Sequence, residues 1–407
     1  MQSKNGINMM DVKMNNRSSL LNLVYHTDGI SRKEIASRLG LTPAAITLIV
    51  NDLIQEGILE ERDSSALPAK KGRKEVSLGL VKNHFAAIGI NITKTKFRVV
   101  CIDFNQQLLF GETVYVSDCQ GRSGLLLRRI ADVLYEKLTQ HRITRDYVLT
   151  GIGISINGIV DTAKGISIHS YYTIEDNTDI RSYFQDIFNV PVIVTNNICS
   201  VAHAECFISG PGLSEDLLLF KYGPGVGAAR FLRSRQLSYD AFTAVQLGHL
   251  IMDDNGLPCI CGNHGCLETI ASYEAIEYSI SSIMNPENAP TLWELSLGQP
   301  SSVNIQMIMQ AYLAGDPVVV RTLERVIHYL ALAIKNALCL FEPQTTILYG
   351  EPFNNIRFRD TLFAELSRYT NTEHVHCSQL NMRLDAVGPA TTAITCFLNH
   401  GGTSPLL

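Results

Sequence analysis

Residues 246–268 read QLGHLIMDDNGLPCICGNHGCLE, and the spacing within this stretch is the most specific signal in the chain. Cys259, Cys261 and Cys266 follow a Cys-x-Cys-x4-Cys pattern. Thiolates so spaced can converge within one tight loop, and Zn2+ prefers four tetrahedral nitrogen or sulfur ligands. Two histidines compete for the fourth place, His264 inside the loop and His249 ten residues upstream of Cys259. Four protein ligands make a closed site, which is structural rather than hydrolytic. The other seven of the ten cysteines are scattered singly, usually among apolar neighbours as at Cys101, Cys199 and Cys339, and read as reduced core residues.

Around this stretch lies a chain of 407 residues, long enough for two or three domains. Hydrophobic residues at 46%, charged residues at 18% and a formal charge of −5 exclude a disordered, collagenous or highly charged chain. The charge is uneven. Residues 1–80 hold eleven Lys and Arg against nine Asp and Glu, so a mildly basic segment precedes an acidic body. No stretch reaches the ~18 consecutive apolar residues that span a bilayer, and residues 1–16 lack the apolar core of a signal peptide. A cytoplasmic protein with no membrane partner is expected.

The basic segment has the grammar of a DNA-binding head. Leu20, Leu21 and Val24 share one face of a helix over residues 19–26. A second helix opens at Ser31, where Ser31-Arg32-Lys33-Glu34 has capping-box spacing, and stops at Gly40. A third opens at Thr42-Pro43, with Ile46, Ile49, Val50 and Leu53 turned inward. Ala44, Thr47, Leu48 and Asn51 lie on its outer side, where small and polar groups can reach base edges in the major groove. Strands at residues 58–60 and 75–78 then flank a basic tip, Lys70, Lys71, Arg73 and Lys74, suited to phosphate contact and minor-groove insertion. Three short helices plus a basic hairpin predict a winged helix-turn-helix. Its expected DNA contacts are Ser31, Arg32, Thr42, Pro43, Ala44, Thr47 and Asn51, together with the basic tip.

After residue 82 the pattern changes to α/β. Strands are predicted at 85–92, 96–103 and 107–116, a helix at 124–140, a strand at 148–154, a helix at 180–188, a strand at 192–195 and a helix at 198–208. A second meander follows at 216–222 and 225–232, with a turn at 233–236. A long helix at 317–339, a strand at 345–349 and a final helix at 389–398 complete the body. The repeated strand-turn-strand start suggests two related lobes with a cleft between them.

The Gly248-His249 pair followed by the cysteine loop and Glu268 resembles the signature of the ROK family of repressors and sugar kinases, and the repressor branch carries a winged head like the one read above. The resemblance implies an α/β fold with a two-lobed, actin-like (ribonuclease H-like) body behind an N-terminal winged helix-turn-helix. The expected divisions are a head at 1–82, a first lobe at 83–197 with a C-terminal helix at 387–407 packing back, and a second lobe with the zinc loop at 198–386. It assigns the fourth ligand of a structural Zn2+ to His249, beside Cys259, Cys261 and Cys266.

The same resemblance points away from catalysis. Where the family's kinases carry Asp-x-Gly-Gly-Thr-Lys, this chain has Asn91-Ile92-Thr93-Lys94-Thr95-Lys96, so both glycines and the carboxylate are lost. Where they carry the aspartate that takes the sugar hydroxyl proton, it has Asn197, and an amide cannot act as a base. The glycine turn 223–227 is retained, and Gly350-Glu351-Pro352 replaces a further one. No catalytic residue is expected.

The candidate effector site combines Asn157, Asn196 and Asn197 from one lobe with Gln246, His249 and Glu268 from the other, planar polar groups able to hold vicinal hydroxyls. The expectation is a transcriptional repressor of carbohydrate-utilisation genes, binding a palindromic operator as a homodimer or homotetramer and released when a sugar or sugar derivative in the interlobe cleft alters lobe closure. The alternatives are a sugar kinase with an added DNA-binding head, and a repressor answering to a protein partner.

Overall fold

Two N-caps set the head. In the computed structural model, which describes residues 9–27, 29–63, 76–119, 121–209, 216–232, 240–380, 384–404 and 406, helix α1 (Met9–His26) is followed by α2 (Arg32–Leu39) and α3 (Pro43–Gln55). Ser31 accepts from the backbone N–H of Glu34 at 3.3 Å and Thr42 from that of Ala45 at 3.3 Å, as their spacing predicts. The side chain of Glu34 turns to Arg38 at 2.6 Å rather than back to the cap. Strands β1 (Ile30–Ser31), β2 (Leu59–Asp63) and β3 (Val76–Leu80) pair in the order β1-β3-β2. Helix α1 begins ten residues before the segment, 19–26, that announced it. The basic tip, Lys70, Lys71, Arg73 and Lys74, lies outside the described residues, as does the turn expected at 233–236.

The chain divides into two compact units, Met1–Gly212 with Leu237–Asp240 and Met382–Leu407, and Leu213–Gln236 with Ala241–Asn381. The first contains strands β4 (Phe85–Ile92), β5 (Lys96–Asp103) and β6 (Leu108–Tyr115), helices α4 (Ser123–Gln140) and α5 (Ile143–Asp146), and β7 (Val148–Ile156). A small sheet of β8 (Ile159–Asp161), β9 (Ile166–His169) and β10 (Thr178–Asp179) precedes α6 (Ile180–Phe188), β11 (Val192–Asn196) and α7 (Asn197–Ser209).

The second unit contains β12 (Leu217–Tyr222), β13 (Val226–Phe231), β14 (Phe242–Val245), α8 (Leu267–Ala271), α9 (Tyr273–Ser281), α10 (Pro290–Leu295) and α11 (Ile305–Ala314). It continues through α12 (Pro317–Phe341), β15 (Thr345–Tyr349), α13 (Ile356–Ser367) and β16 (Val375–Cys377). The two main sheets share one plan. Each has three antiparallel strands continued by two parallel ones, in the orders β6-β5-β4-β7-β11 and β14-β13-β12-β15-β16. The two related lobes expected from the repeated meander are present. Among the described residues no helix is long and apolar enough to cross a membrane.

Two boundaries differ from the sequence reading. Helix α7 belongs to the first unit, so that unit runs to Gly212 rather than 197 and resumes near 382 rather than 387. The cause is packing: α7 lies along the last helix, α14 (Leu384–Asn399), and has nine consecutive buried residues from Cys199 to Phe207. Pro389 also does not open α14 but sits inside it. An internal proline leaves the carbonyl four residues back without its helical donor. That carbonyl is Asp385 O, and Asn91 Nδ2 of β4 donates to it at 2.6 Å. Helix α14 lies directly on the sheet backbone here. A Cβ on Gly153 of β7 would stand 1.7 Å from Pro389 O, a place only glycine can occupy.

The head is not a separate unit. Leu20, Leu21, Val24 and Tyr25 of α1, Ile46, Val50 and Leu53 of α3, and Leu78 and Leu80 of β3 form one apolar cluster with Phe85, Phe104, Phe207 and Phe397 of the first lobe. Phe397 packs against Phe85 at 5.3 Å and Phe104 at 5.5 Å, and Phe207 against Tyr25 at 5.0 Å. Arg17 of α1 clasps Glu56 just after α3 (Nη1 to Oε1, 2.9 Å) while its Nε donates to Gly401 O beyond α14. Phe397→Ala is expected to cost about 3–5 kcal/mol, and denaturant unfolding followed by separate reporters in head and lobe should show both lowered together.

Candidate functional site

The loop announced by the cysteine pattern is built by backbone bonds and two left-handed glycines. Cys259 N donates to Asn263 O at 2.7 Å, Gly265 N to Leu257 O at 2.8 Å and Met252 N to Gly265 O at 2.8 Å. Gly262 (φ 92°) and Gly265 (φ 63°) make the reversals, and a Cβ on Gly265 would fall 1.5 Å from Asp253 O. These turns bring His249, Cys259, Cys261 and Cys266 together, with one ligand atom from each lying within 4.8 Å of all the others. Cys259 Sγ is 3.5 Å from His249 Nδ1, and Cys261 Sγ is 3.6 Å from Cys266 Sγ. A tetrahedral ion with metal–sulfur bonds of about 2.3 Å holds its sulfurs about 3.8 Å apart, so the donor set fits a closed metal centre.

Of the two competing histidines the fold selects His249. His264 is exposed on the loop and outside the cluster. Burial lowers the His249 imidazole below its usual range, favouring the neutral ligand form, and burial pushes the Cys266 thiol up to about 12, so a thiolate there needs a cation beside it.

Cys266 leads directly into α8, and the next turn positions Glu268. Its Oε2 accepts from Val226 N at 2.9 Å, which pins the glycine turn 223–227 against α8. A Cβ on Gly248 would meet that oxygen at 2.7 Å and one on Gly225 would meet Oε1 at 2.1 Å. The glycine of the Gly-His pair is thus required first by the backbone carbonyl of Val226, which a Cβ would meet at 2.4 Å, and then by the carboxylate beside it. Burial raises the Glu268 carboxyl above its ordinary value, opposed by the Val226 N–H and by Lys221. Gln246 is exposed at the end of β14.

In the first unit the three candidate asparagines have different standing. Asn157 is engaged at both ends, donating to Ser170 O at 3.2 Å and accepting from Thr173 Oγ1 at 3.0 Å. Asn196 is buried, donates to Gly158 O at 2.6 Å, and accepts from Ile198 N at 2.9 Å in the first turn of α7. Asn197 opens α7 and stays partly exposed. In the row beside them, Asn91, Ser155 and Thr195 are neighbours across β4, β7 and β11, and each keeps a buried side-chain oxygen without a hydrogen-bond partner. No pattern within a single strand announced this row.

On the head, Pro43, Ala44, Thr47 and Asn51 lie along α3, and Leu48 among them is 68% exposed. Ser31 and Thr42 act as caps, and Arg32 pairs with Glu61 of β2 at 2.8 Å. The hub Arg17 was missed by the sequence reading. A lone arginine in a polar stretch gives no sign of its tertiary partners.

These features define a class: a winged DNA-binding head whose core is shared with the first of two like-built α/β lobes, the second of which bears a cluster of one histidine and three cysteines. The family model "ROK family" matches residues 87–384, most of the chain, and a model of winged helix-turn-helix DNA-binding domains matches residues 15–60. The chain belongs to the ROK family. It is 28% identical over 348 residues to the DNA-binding transcriptional dual regulator NagC of Escherichia coli K12, covering 84% of this chain and 81% of that one. It is 25% identical over 377 residues to the xylose repressor of Caldicellulosiruptor bescii, covering 92% of each. In fold it resembles a crystal structure of a ROK family transcriptional regulator homologous to E. coli Mlc (TM-score 0.78, 21% identity, 96% of this chain and 98% of that one). It also resembles a ROK glucokinase from Streptomyces griseus with glucose and AMPPNP (TM-score 0.62, 22% identity, 75% and 98%). The actin-like α/β fold is therefore that of the family.

The Asn91 amide repairs α14 by donating to the Asp385 carbonyl. Asn91→Asp is expected to lower stability by about 1–3 kcal/mol at neutral pH, since it removes the donor and places a carboxylate against the Asp385 carbonyl. Urea unfolding of the variant beside the parent checks this.

Proposed function

We propose that this chain is a DNA-binding transcriptional repressor of carbohydrate-utilisation genes, relieved by a sugar or sugar-derivative effector. The observation that carries the reading is the shared core of head and first lobe. Helix α7 starts at Asn197, directly after Asn196 at the end of β11, two of the proposed effector residues, and near its end Phe207 packs on Tyr25 and His26 of α1 at 5.0 and 5.4 Å. A small displacement of that helix by an effector would act on the head directly. The winged head, the functions named for the relatives and the polar residues Asn157, Gln246, His249 and Glu268 support the same reading. Palindromic operator binding by a homodimer or homotetramer, and residence in the cytoplasm, are parts of this proposal.

We infer that the chain is not a kinase. Asn197 offers no base. Asn91 is committed to the Asp385 carbonyl. The cluster of His249, Cys259, Cys261 and Cys266 is proposed to hold a structural Zn2+ as its four ligands, which would tie Gly248 and the Glu268 turn into one frame.

Two measurements check these readings. Purified full-length protein should retain operator DNA from the neighbourhood of its own gene, and one member of a sugar panel should release it. Equal affinity across the panel would refute the effector role while leaving the DNA role intact. Metal analysis should return about one Zn per chain, falling severalfold in His249→Ala, whereas less than ~0.5 Zn in the parent would refute the metal assignment.

A further inference from the structure

We propose that α3 reads A·T base pairs, with Asn51 on the major-groove edge of an adenine and Leu48, flanked by Ala44, against a thymine methyl. The inference rests on the DNA-binding reading above and names the bases that the head selects.

Ala44, Thr47, Leu48, Asn51 and Gln55 form one ridge along the outer side of α3. No Lys or Arg occurs anywhere in Pro43–Gln55. Guanine presents two acceptors, O6 and N7, in the major groove, and its usual readers are the donors of Arg or Lys. A guanine set beneath Leu48 would lose water from those acceptors and gain no donor, which is unfavourable. Adenine presents an acceptor and a donor side by side, which a side-chain amide matches bidentately, and thymine presents a methyl that an apolar side chain covers. The ridge supplies those two kinds of group. Thr47 adds to its apolar character, because its hydroxyl already donates to Pro43 O at 2.8 Å.

The acids near the ridge are neutralised from behind. Asp52 pairs with Lys13 of α1 at 3.3 Å, and Glu56 is clasped by Arg17. Helix α3 thus presents a nearly neutral face to the bases, while Lys33 in the first turn of α2 is an exposed cation available to a backbone phosphate and Arg32 is paired with Glu61. Phosphate contacts then position the head and the neutral ridge selects.

The test is selection of random duplexes by the full-length protein, followed by replacement of each enriched thymine by deoxyuridine, which removes only the major-groove methyl. The enriched half-site should carry A·T pairs where α3 lies. One thymine-to-deoxyuridine change should weaken binding roughly fourfold, and Leu48→Ala should abolish that difference. Asn51→Ala should weaken the selected site roughly tenfold to hundredfold, while leaving non-specific DNA unchanged. Both side chains are exposed, so the thermal unfolding of these variants should match the parent. Three results would overturn the inference: G·C pairs at the enriched positions, indifference of the parent to thymine methyls, or equal weakening of selected and random DNA by Asn51→Ala. If the parent retains no duplex even at low salt, the DNA-binding reading itself falls and takes this inference with it.

Discussion

Helix α14 lying in backbone contact with β4 and β7 is the constraint on which the first unit depends. The approach is close enough that Gly153 admits no Cβ beside Pro389 O. It comes at the cost of an internal proline, whose orphaned carbonyl at Asp385 is met by Asn91 Nδ2. At the other end of the same helix Phe397 closes an aromatic cluster with Phe85 and Phe104, and Gly401 accepts from Arg17. One helix of sixteen residues, about 24 Å long, thus ties the strand ends of the lobe to the DNA-binding head.

Helix α7 runs beside it and differs in the character of its two ends. Around its start the side chains are polar, with buried oxygens of Ser155, Thr195 and Ser200 lacking hydrogen-bond partners. Its far end is apolar, with Phe207 set against Tyr25 and His26 and His203 stacked on Phe207 at 5.9 Å. Burial lowers the His203 imidazole to about 3, so it stays neutral throughout the physiological range. The polar end, with its unpartnered oxygens, is also where the proposed effector residues Asn196 and Asn197 lie.

The second unit is organised by a different close approach, that of Glu268 over Gly225 and Gly248. The carboxylate joins a glycine turn to the helix that follows Cys266, and His249 directly follows Gly248. The cluster of one histidine and three cysteines and the turn therefore share neighbouring residues. At Gly248 the Val226 carbonyl lies closer still, 2.4 Å from where a Cβ would stand, which explains why a glycine precedes His249.

Local signals were legible in the sequence and long-range ones were not. Ser31 and Thr42 as caps, the buried stripe Ile46, Ile49, Val50 and Leu53, the strand limits 85–92 and 96–103, and the convergence of Cys259, Cys261 and Cys266 all depend on residues within about ten positions of one another. Such features follow from periodicity, capping and loop chemistry, which a short window contains. The cysteine spacing left His249 and His264 level, the family resemblance favoured His249, and the folded loop brings His249 to the cysteines; the start of α14 ahead of Pro389, the membership of α7 in the first unit and the fusion of the head core to the lobe were decided by tertiary structure alone. Each turns on partners far apart in sequence, such as Asn91 with Asp385 or Arg17 with Gly401, whose meeting is fixed by packing. The sequence by itself determined the elements, their repeated plan and the convergence of the three cysteines in one loop. Only the folded chain determined which of them share a core, because burial at close range selects among pairings that spacing leaves equal.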